Sequence, residues 1–268
     1  MPSSAAGWVK WHDWNAQAFQ SVTTWVCEAT QVATGHRVLD LGSGTGLPSL
    51  QLAKRVGPTG QVNATDISSD MVTALASNAR KLKLTNIDCR EMSAEKIEFS
   101  DHSFDVVTCT FVLMFRPDPT AVVREIRRVL KPGGRFAVVV WDEPAKNPFF
   151  TAAIEPVGRF IPLPVPGPNA PGTFGLAAAG KLAGVLRAGG FSDFTVESRP
   201  FKVMFESVGQ HWQIFSEMAP PLKTAAESLP ESALRLLKET IADGLRPYTE
   251  DGGVFLTATP ICAAGRIA

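Results

Sequence analysis

Val38-Leu39-Asp40-Leu41-Gly42-Ser43-Gly44-Thr45-Gly46 is the stretch whose reading decides the fold. An apolar run rich in branched side chains reads as a buried strand, and three alternate glycines directly after it read as a turn where the backbone takes positive φ or meets a ligand without a Cβ in the way. In open α/β sheets such a turn lies at the carboxyl end of the first strand, where ligands bind. A dinucleotide fingerprint would place Gly or Ala three positions after the second glycine, but Leu47 stands there. The pattern therefore points away from a bound diphosphate.

Working outward, residues 36 to 142 alternate short β-branched runs with helical patterns, which is how a parallel sheet with crossover helices reads. Strands are expected at Arg37 to Leu41, Gln61 to Thr65, Asn86 to Cys89, Phe104 to Thr110 and Arg135 to Val140. Helices are expected after the first, second and fourth. The last of these has Asp118 as its cap, Pro119 at its first position, and Val122, Ile126, Val129 and Leu130 on one face, and Lys131-Pro132-Gly133-Gly134 stops it.

Beyond Trp141 the prolines from Pro156 to Pro171 crowd too closely for a helix or central strand, so Glu155 to Gly172 reads as an ordered loop or cap. A helix from about Ala177 to Ala188, a strand from about Phe194 to Phe201, a helical segment from Ser207 to Arg246 and a last strand from Val254 to Arg266 complete the expected order. Before the first strand, Trp8, Trp11, Trp14, Phe19, Val22, Trp25 and Val26 make an amphipathic segment. It reads as a helix packed on the domain or as a cap over a ligand. The whole is one α/β domain, residues 1–268, doubly wound around a mostly parallel seven-stranded sheet. Its cap insertions are an N-terminal helical cap at 1–34, a Pro-rich insert at 143–175 and a helical insert at 206–250.

The chain has 268 residues with 45% apolar and 19% charged side chains, and 26 basic groups balance 26 acidic ones. That apolar share supplies a core, and the null charge gives no long-range attraction to a polyanion. No nucleic-acid partner and no membrane partner are expected, and Arg124, Arg127, Arg128 and Lys131 read as a solvated helix face. Cys27, Cys89, Cys109 and Cys262 form no CxxC pair and are expected as reduced thiols, with no metal site. The opening residues lack a basic and apolar leader pattern, and no run approaches the ~18 apolar residues of a membrane span, so a cytoplasmic protein is expected.

Asp66 ends the second strand 20 positions beyond Gly46, where a carboxylate accepts hydrogen bonds from both hydroxyls of an adenosine ribose. With the glycine turn, these residues resemble the first motif and the acidic strand-two end of class I S-adenosylmethionine-dependent methyltransferases. The resemblance continues through Asp101-His102-Ser103-Phe104-Asp105-Val106-Val107 and from Arg124 through Arg135, as in the small-molecule group that contains the quinone C-methyltransferases, the methyltransferase type 11 group. It covers roughly residues 36 to 142 and implies a Rossmann-like methyltransferase fold with S-adenosylmethionine as cofactor, turned over to S-adenosylhomocysteine.

By that resemblance Gly42, Ser43, Gly44 and Gly46 shape the bed of the cofactor's methionine part. Asp40 orients its amino end, Asp66 holds the ribose, and Ile67 and Met71 pack on the adenine. Ser93 stands where the family often carries an Asp that reads the adenine amino group, so the Ser93 hydroxyl or the Ala94 backbone takes that contact. Thr110, Phe111 and Phe115 match positions that line the methyl-transfer cleft. The expected acceptor is small and apolar or aromatic, because the cap segments are rich in Trp, Phe and Pro. Trp11, Trp14, Trp141 and Phe150 are the candidate acceptor contacts. A dry pocket that aligns acceptor and methyl carbon needs no nucleophilic side chain. The catalytic residue is left open, with His12 and His211 as candidates for a base, while His36 and His102 read as structural, and Asp142 and Glu143, just past strand five, stand on the correct edge for a base or are solvated. Leu113-Met114-Phe115 stands where many relatives carry a histidine, which leaves the acceptor open. Two other readings share the strand, turn and acidic residue: an NAD-linked oxidoreductase and a non-catalytic cofactor-binding protein.

Overall fold

The computed structural model describes residues 5–161, 167, 170–251 and 253–267. In chain order the helices are α1 Ala5–Lys10, α2 His12–Ala18, α3 Gln20–Ala29, α4 Ser49–Val56, α5 Ser69–Lys81, α6 Pro119–Val129, α7 Pro148–Gly158, α8 Lys181–Ala188, α9 Val208–Met218, α10 Pro220–Glu227 and α11 Glu231–Leu245. The strands are β1 Arg37–Leu41, β2 Gln61–Asp66, β3 Ile87–Glu91, β4 Phe104–Thr110, β5 Leu130–Trp141, β6 Asp193–Ser198, β7 Phe201–Phe205, β8 Thr249–Glu250, β9 Gly253–Ala258 and β10 Pro260–Arg266.

The chain divides into two compact units. The sheet unit comprises residues 20–142, 168–199 and 260–268, and the smaller unit comprises 1–19, 143–167 and 200–259. The sheet unit holds a seven-stranded sheet of order β3-β2-β1-β4-β5-β10-β6. β1 to β5 run parallel, and β10 is antiparallel to both β5 and β6. Central parallel strands are covered on both faces, which is why Val38, Leu39 and Leu41 of β1 and Val138, Val139 and Val140 of β5 are all fully buried. Against β1 and β2, Leu52, Ala53 and Val56 of α4 and Leu75 and Ala79 of α5 close one core cluster with Cys27 and Val32.

Helix α6 forms as its sequence signals. The Asp118 carboxylate accepts the Ala121 N–H at 2.9 Å, Pro119 occupies the first turn, and Val122, Val123, Ile126 and Val129 are buried. The following Lys131-Pro132-Gly133-Gly134 ends the helix and is absorbed into β5, which starts at Leu130 rather than Arg135. All four cysteines are free, and burial pushes the Cys27 thiol up to about 11 and the Cys109 thiol up to about 12.

The smaller unit contains α1, α2, α7, α9, α10 and α11 with a three-stranded sheet of order β7-β9-β8. Four expectations change here. The strand expected at Phe194 to Phe201 is two strands, β6 and β7, broken at Arg199-Pro200, and Val254 to Arg266 is also two, β9 and β10, broken at Thr259. Pro200 and Pro260 lack the N–H that a continuous ladder needs. Glu155 to Gly158, expected as loop, is the last turn of α7 with Pro156 inside it. The expected N-terminal cap at 1–34 is divided, with α1 and α2 in the smaller unit and α3 in the sheet unit. Of the expected Pro-rich loop, 162–166 and 168–169 lie outside the described residues.

Candidate cofactor site

Strand order reverses between β1 and β4, so the chain leaves the sheet in opposite directions from two neighbouring strands and opens a crevice at their carboxyl ends. The register brings the expected residues to that edge: Leu41 pairs with Thr65 on one side and Cys109 on the other, and Asp66 pairs with Glu91. The glycine turn, Asp66, the 92–94 loop and the Thr110–Phe111 segment therefore converge on it.

The three turn glycines serve different needs. Gly42 has φ +67°, and a Cβ there would lie 2.2 Å from Val112 Cγ2, so it admits the loop after β4. Gly46 is packed, with Leu50 Cδ1 and Leu75 Cδ1 where a side chain would start. Only Gly44 faces open space: nothing lies within 4 Å of a Cβ built on it. Ser43 is buried, and its hydroxyl donates to the Asp40 carbonyl at 3.0 Å and the Thr65 carbonyl at 3.2 Å, which ties the turn to β1 and β2.

Asp66 anchors the crevice. Its Oδ2 accepts the Gly44 N–H and its Oδ1 the Ser68 N–H, each at 2.9 Å. A carboxylate offers about four lone pairs, so two remain for a ligand. Beside it Ile67 is 60% exposed, an apolar side chain with nothing over most of its surface, and Met71 is half-buried. The Asp66 carbonyl accepts the Met92 N–H at 3.0 Å and so fixes the neighbouring loop. There the Ser93 hydroxyl accepts the Glu95 N–H at 3.2 Å, while Ala94 is buried.

Asp40 lies inside rather than at the mouth. One carboxylate oxygen accepts from the Ser49 hydroxyl and the other from Thr108 Oγ1 at 2.6 Å, so the side chain joins β1 to α4 and β4. Burial raises its pKa to about 6, opposed by the hydrogen bonds from Ser49, Thr108 and Ser43. At the end of β4 the Thr110 hydroxyl is buried without a hydrogen-bond partner among the described residues. Phe111 takes φ +59°, a backbone that a bulky L-residue rarely adopts, and its ring stacks on Trp141 at 4.3 Å and 14°. Phe115 is exposed.

Trp141 thus joins the crevice residues of the sheet unit. The other three acceptor candidates, and both candidate bases, belong to the smaller unit. There the Trp11 indole N–H donates to Glu217 Oε2 at 2.7 Å, the Trp14 indole donates to the Met204 carbonyl at 3.3 Å, and Phe150 meets Phe149 edge to face. His12 opens α2 and is half-buried, while His211 is fully buried on α9. His36 and His102 precede β1 and β4, with His36 Nδ1 accepting the Ala33 N–H and His102 Nδ1 bonded to the Leu130 carbonyl. Sequence reasoning missed Val112, the seat of Gly42, and Arg116, whose Nε is buried without a hydrogen-bond partner among the described residues. A lone charge between an apolar run and Pro117 was the signal for Arg116.

Residues 33–155 match the methyltransferase domain family. Within this domain lie the glycine turn, Asp66 and the 110–116 segment. The chain is 41% identical over 114 residues to the ubiquinone/menaquinone biosynthesis C-methyltransferase UbiE of Pseudoalteromonas translucida, covering 42% of this chain and 45% of that one. The matched stretch therefore spans less than half the length of that relative. Among solved structures, YcgJ of Bacillus subtilis superposes with a TM-score of 0.60 at 18% identity over 92% of this chain and 98% of that one. A SAM-dependent methyltransferase of Aquifex aeolicus superposes with a TM-score of 0.51 at 23% identity over 70% of this chain and 86% of that one. These structures share the Rossmann-like methyltransferase fold, and no helix among the described residues is long and apolar enough to cross a membrane.

Proposed function

We propose that this protein transfers a methyl group from S-adenosylmethionine to a small aromatic or apolar acceptor, of the quinone-derived kind that the UbiE relative's name describes. The observation that carries the reading is the Asp66 carboxylate, held by the Gly44 and Ser68 N–H groups beside exposed Ile67 at the sheet's reversal. When bound, the cofactor supplies a sulfonium methyl group that moves without a covalent enzyme intermediate.

The chain's own residues then bind, orient and exclude water. Asp66 accepts ribose hydroxyls through its two remaining lone pairs, Ile67 and Met71 cover the adenine, and Ser93 and Ala94 meet its amino edge. Open space over Gly44 admits the amino-acid tail, and the unpartnered Thr110 hydroxyl is available to it. Asp40 positions the turn through Ser49 and Thr108. The Phe111–Trp141 stack supplies a dry wall for an apolar acceptor.

A diphosphate fits this turn poorly. The N–H groups of Leu50, Gln51 and Leu52 at the start of α4 are already bonded to the Gly46 and Pro48 carbonyls. The Gly44 N–H faces a carboxylate, so the place where an NAD-type ligand would lay its phosphates is negatively charged. No nucleic-acid or membrane partner enters this reading, and its place of action is the cytoplasm. The Arg128 guanidinium of the basic helix face is taken up by Glu125, Asp101 and the Ile97 and Phe99 carbonyls. Residues 1–268 act as one module, because the smaller unit is three separate stretches of chain that no single truncation removes.

Calorimetry with S-adenosylhomocysteine and NADH tests the reading. Binding of the former alone is expected, and Asp66→Ala weakens it by about a hundredfold or more, since two hydrogen bonds to a charged group are lost and each contributes about 1.5–3 kcal/mol. Binding of NADH alone, or equal affinity in Asp66→Ala, overturns it.

A further inference from the structure

The smaller unit buries a histidine whose ring nitrogens meet no hydrogen-bond partner among the described residues. His211, on the second turn of α9, has no exposed surface, and neither Nδ1 nor Nε2 has a hydrogen-bond partner among the described residues. About nine in ten buried polar groups are hydrogen-bonded, and leaving one unmet costs about 1–3 kcal/mol. What surrounds it is aromatic. Phe205 meets the imidazole edge to face at 4.8 Å and 76°, and Phe215 lies parallel at 5.9 Å. Trp14 and Phe149 in turn contact Phe205, at 5.0 and 6.2 Å.

Burial holds the imidazole pKa down to about 4, so at neutral pH one nitrogen carries a proton and the other a lone pair. An aromatic face can receive the N–H weakly. No ring can donate to the lone pair.

A second unmet acceptor lies on the same seam. Asn15 of α2 is 3% exposed, its Nδ2 reaches the Met218 sulfur at 3.9 Å, and its Oδ1 has no hydrogen-bond partner among the described residues. Met218 is two turns beyond His211 and therefore on the same face of α9. Asn15 also follows Trp14, whose ring packs on the Phe205 that touches His211. A buried water needs two to four polar partners, and rings do not provide them. A planar apolar molecule carrying hydroxyls does match: its ring suits the aromatic lining, and its O–H groups are the donors that both acceptors lack.

We propose that the seam of α2, β7 and α9 is a binding site for a small hydroxyaromatic molecule, with His211 Nδ1 or Nε2 and Asn15 Oδ1 accepting from its hydroxyls. Trp14, Phe205 and Phe215 pack its ring, and entry requires these rings to part, since His211 has no surface of its own. Taking this ligand for the methyl acceptor rests on the proposed function; the binding rests on the smaller unit alone.

The test is calorimetry of the full chain with 2-naphthol and 2-methoxynaphthalene, which differ by the O–H donor. Wild type is expected to prefer 2-naphthol at least tenfold. His211→Phe, which keeps a ring in place, erases the preference. His211→Gln, which retains an acceptor, keeps part of it. Equal binding of the two probes, binding of neither, or a preference unchanged in His211→Phe overturns the site. S-adenosylhomocysteine titrated into the same sample separates the two readings. Its binding without 2-naphthol discrimination removes this site alone, and discrimination without its binding removes the cofactor reading alone.

Discussion

Gly42 and Gly44 sit two positions apart in one turn, both at positive φ, and substitution separates their roles. Alanine at either must adopt a left-handed backbone, at about 1–2 kcal/mol. At Gly44 nothing else opposes it, whereas at Gly42 the new Cβ meets Val112 Cγ2 at 2.2 Å and adds overpacking of about 1–3 kcal/mol. Gly42→Ala is therefore expected to lower the urea midpoint more than Gly44→Ala. Val112→Ala in the Gly42→Ala background should recover part of the loss, and equal midpoints for the two single variants would contradict the assignment. The spacing of the glycines was legible because strand and turn are adjacent in sequence. Which glycine leaves room for a ligand was not, because Val112, Leu50 and Leu75 decide it and two of these arrive from distant elements. Asp66 was legible for the opposite reason: its bonds to Gly44 and Ser68 come from the turn and from its own strand end.

Elements buried on both faces were the easiest to place, since β1, β4 and β5 appear as branched apolar runs, and α5 and α6 carry local side-chain caps at Ser68 and Asp118. The chain after residue 193 was harder. Val254, Leu256 and Ala258 alternate inward and Ile261, Cys262 and Ala263 continue the apolar run, so no break shows in the pattern. What separates β9 from β10 is a distant side chain. Asn147, fully buried before α7, accepts the Thr259 N–H at 2.7 Å and donates to the Thr259 carbonyl at 3.1 Å, which closes both backbone groups at the break. Asn147→Ala leaves that N–H and C=O unmet, at about 1–3 kcal/mol each. The expected outcome is a loss of roughly 2–4 kcal/mol in urea unfolding, with faster hydrogen exchange at the Thr259 amide. A change below about 0.5 kcal/mol, within the range of ordinary surface substitutions, would show that Pro260 alone ends the strand.

Across the whole molecule, two buried groups act in opposite directions on the response to acid. Asp40, buried and raised to about 6 from 3.8, binds protons in the folded state before it does so unfolded, so its contribution to stability grows as pH falls from about 6 to 4. His211, lowered by burial to about 4 from 6.5, resists a proton that the unfolded chain accepts, so stability is lost as pH falls through the same window. Each gap corresponds to roughly 3 kcal/mol when fully crossed. The two slopes nearly cancel in wild type, which hides both in a simple pH series. His211→Phe removes one of them. Its stability relative to wild type is expected to rise steadily from pH 7 to pH 4, by up to about 3 kcal/mol, as read from urea midpoints at matched ionic strength. The unmet imidazole nitrogens add a pH-independent gain at neutral pH, because phenylalanine leaves no polar atom behind. A constant difference between the two proteins across that range would mean that the folded state takes up a proton at His211 as readily as the unfolded chain, and the aromatic enclosure around it would then be open to water.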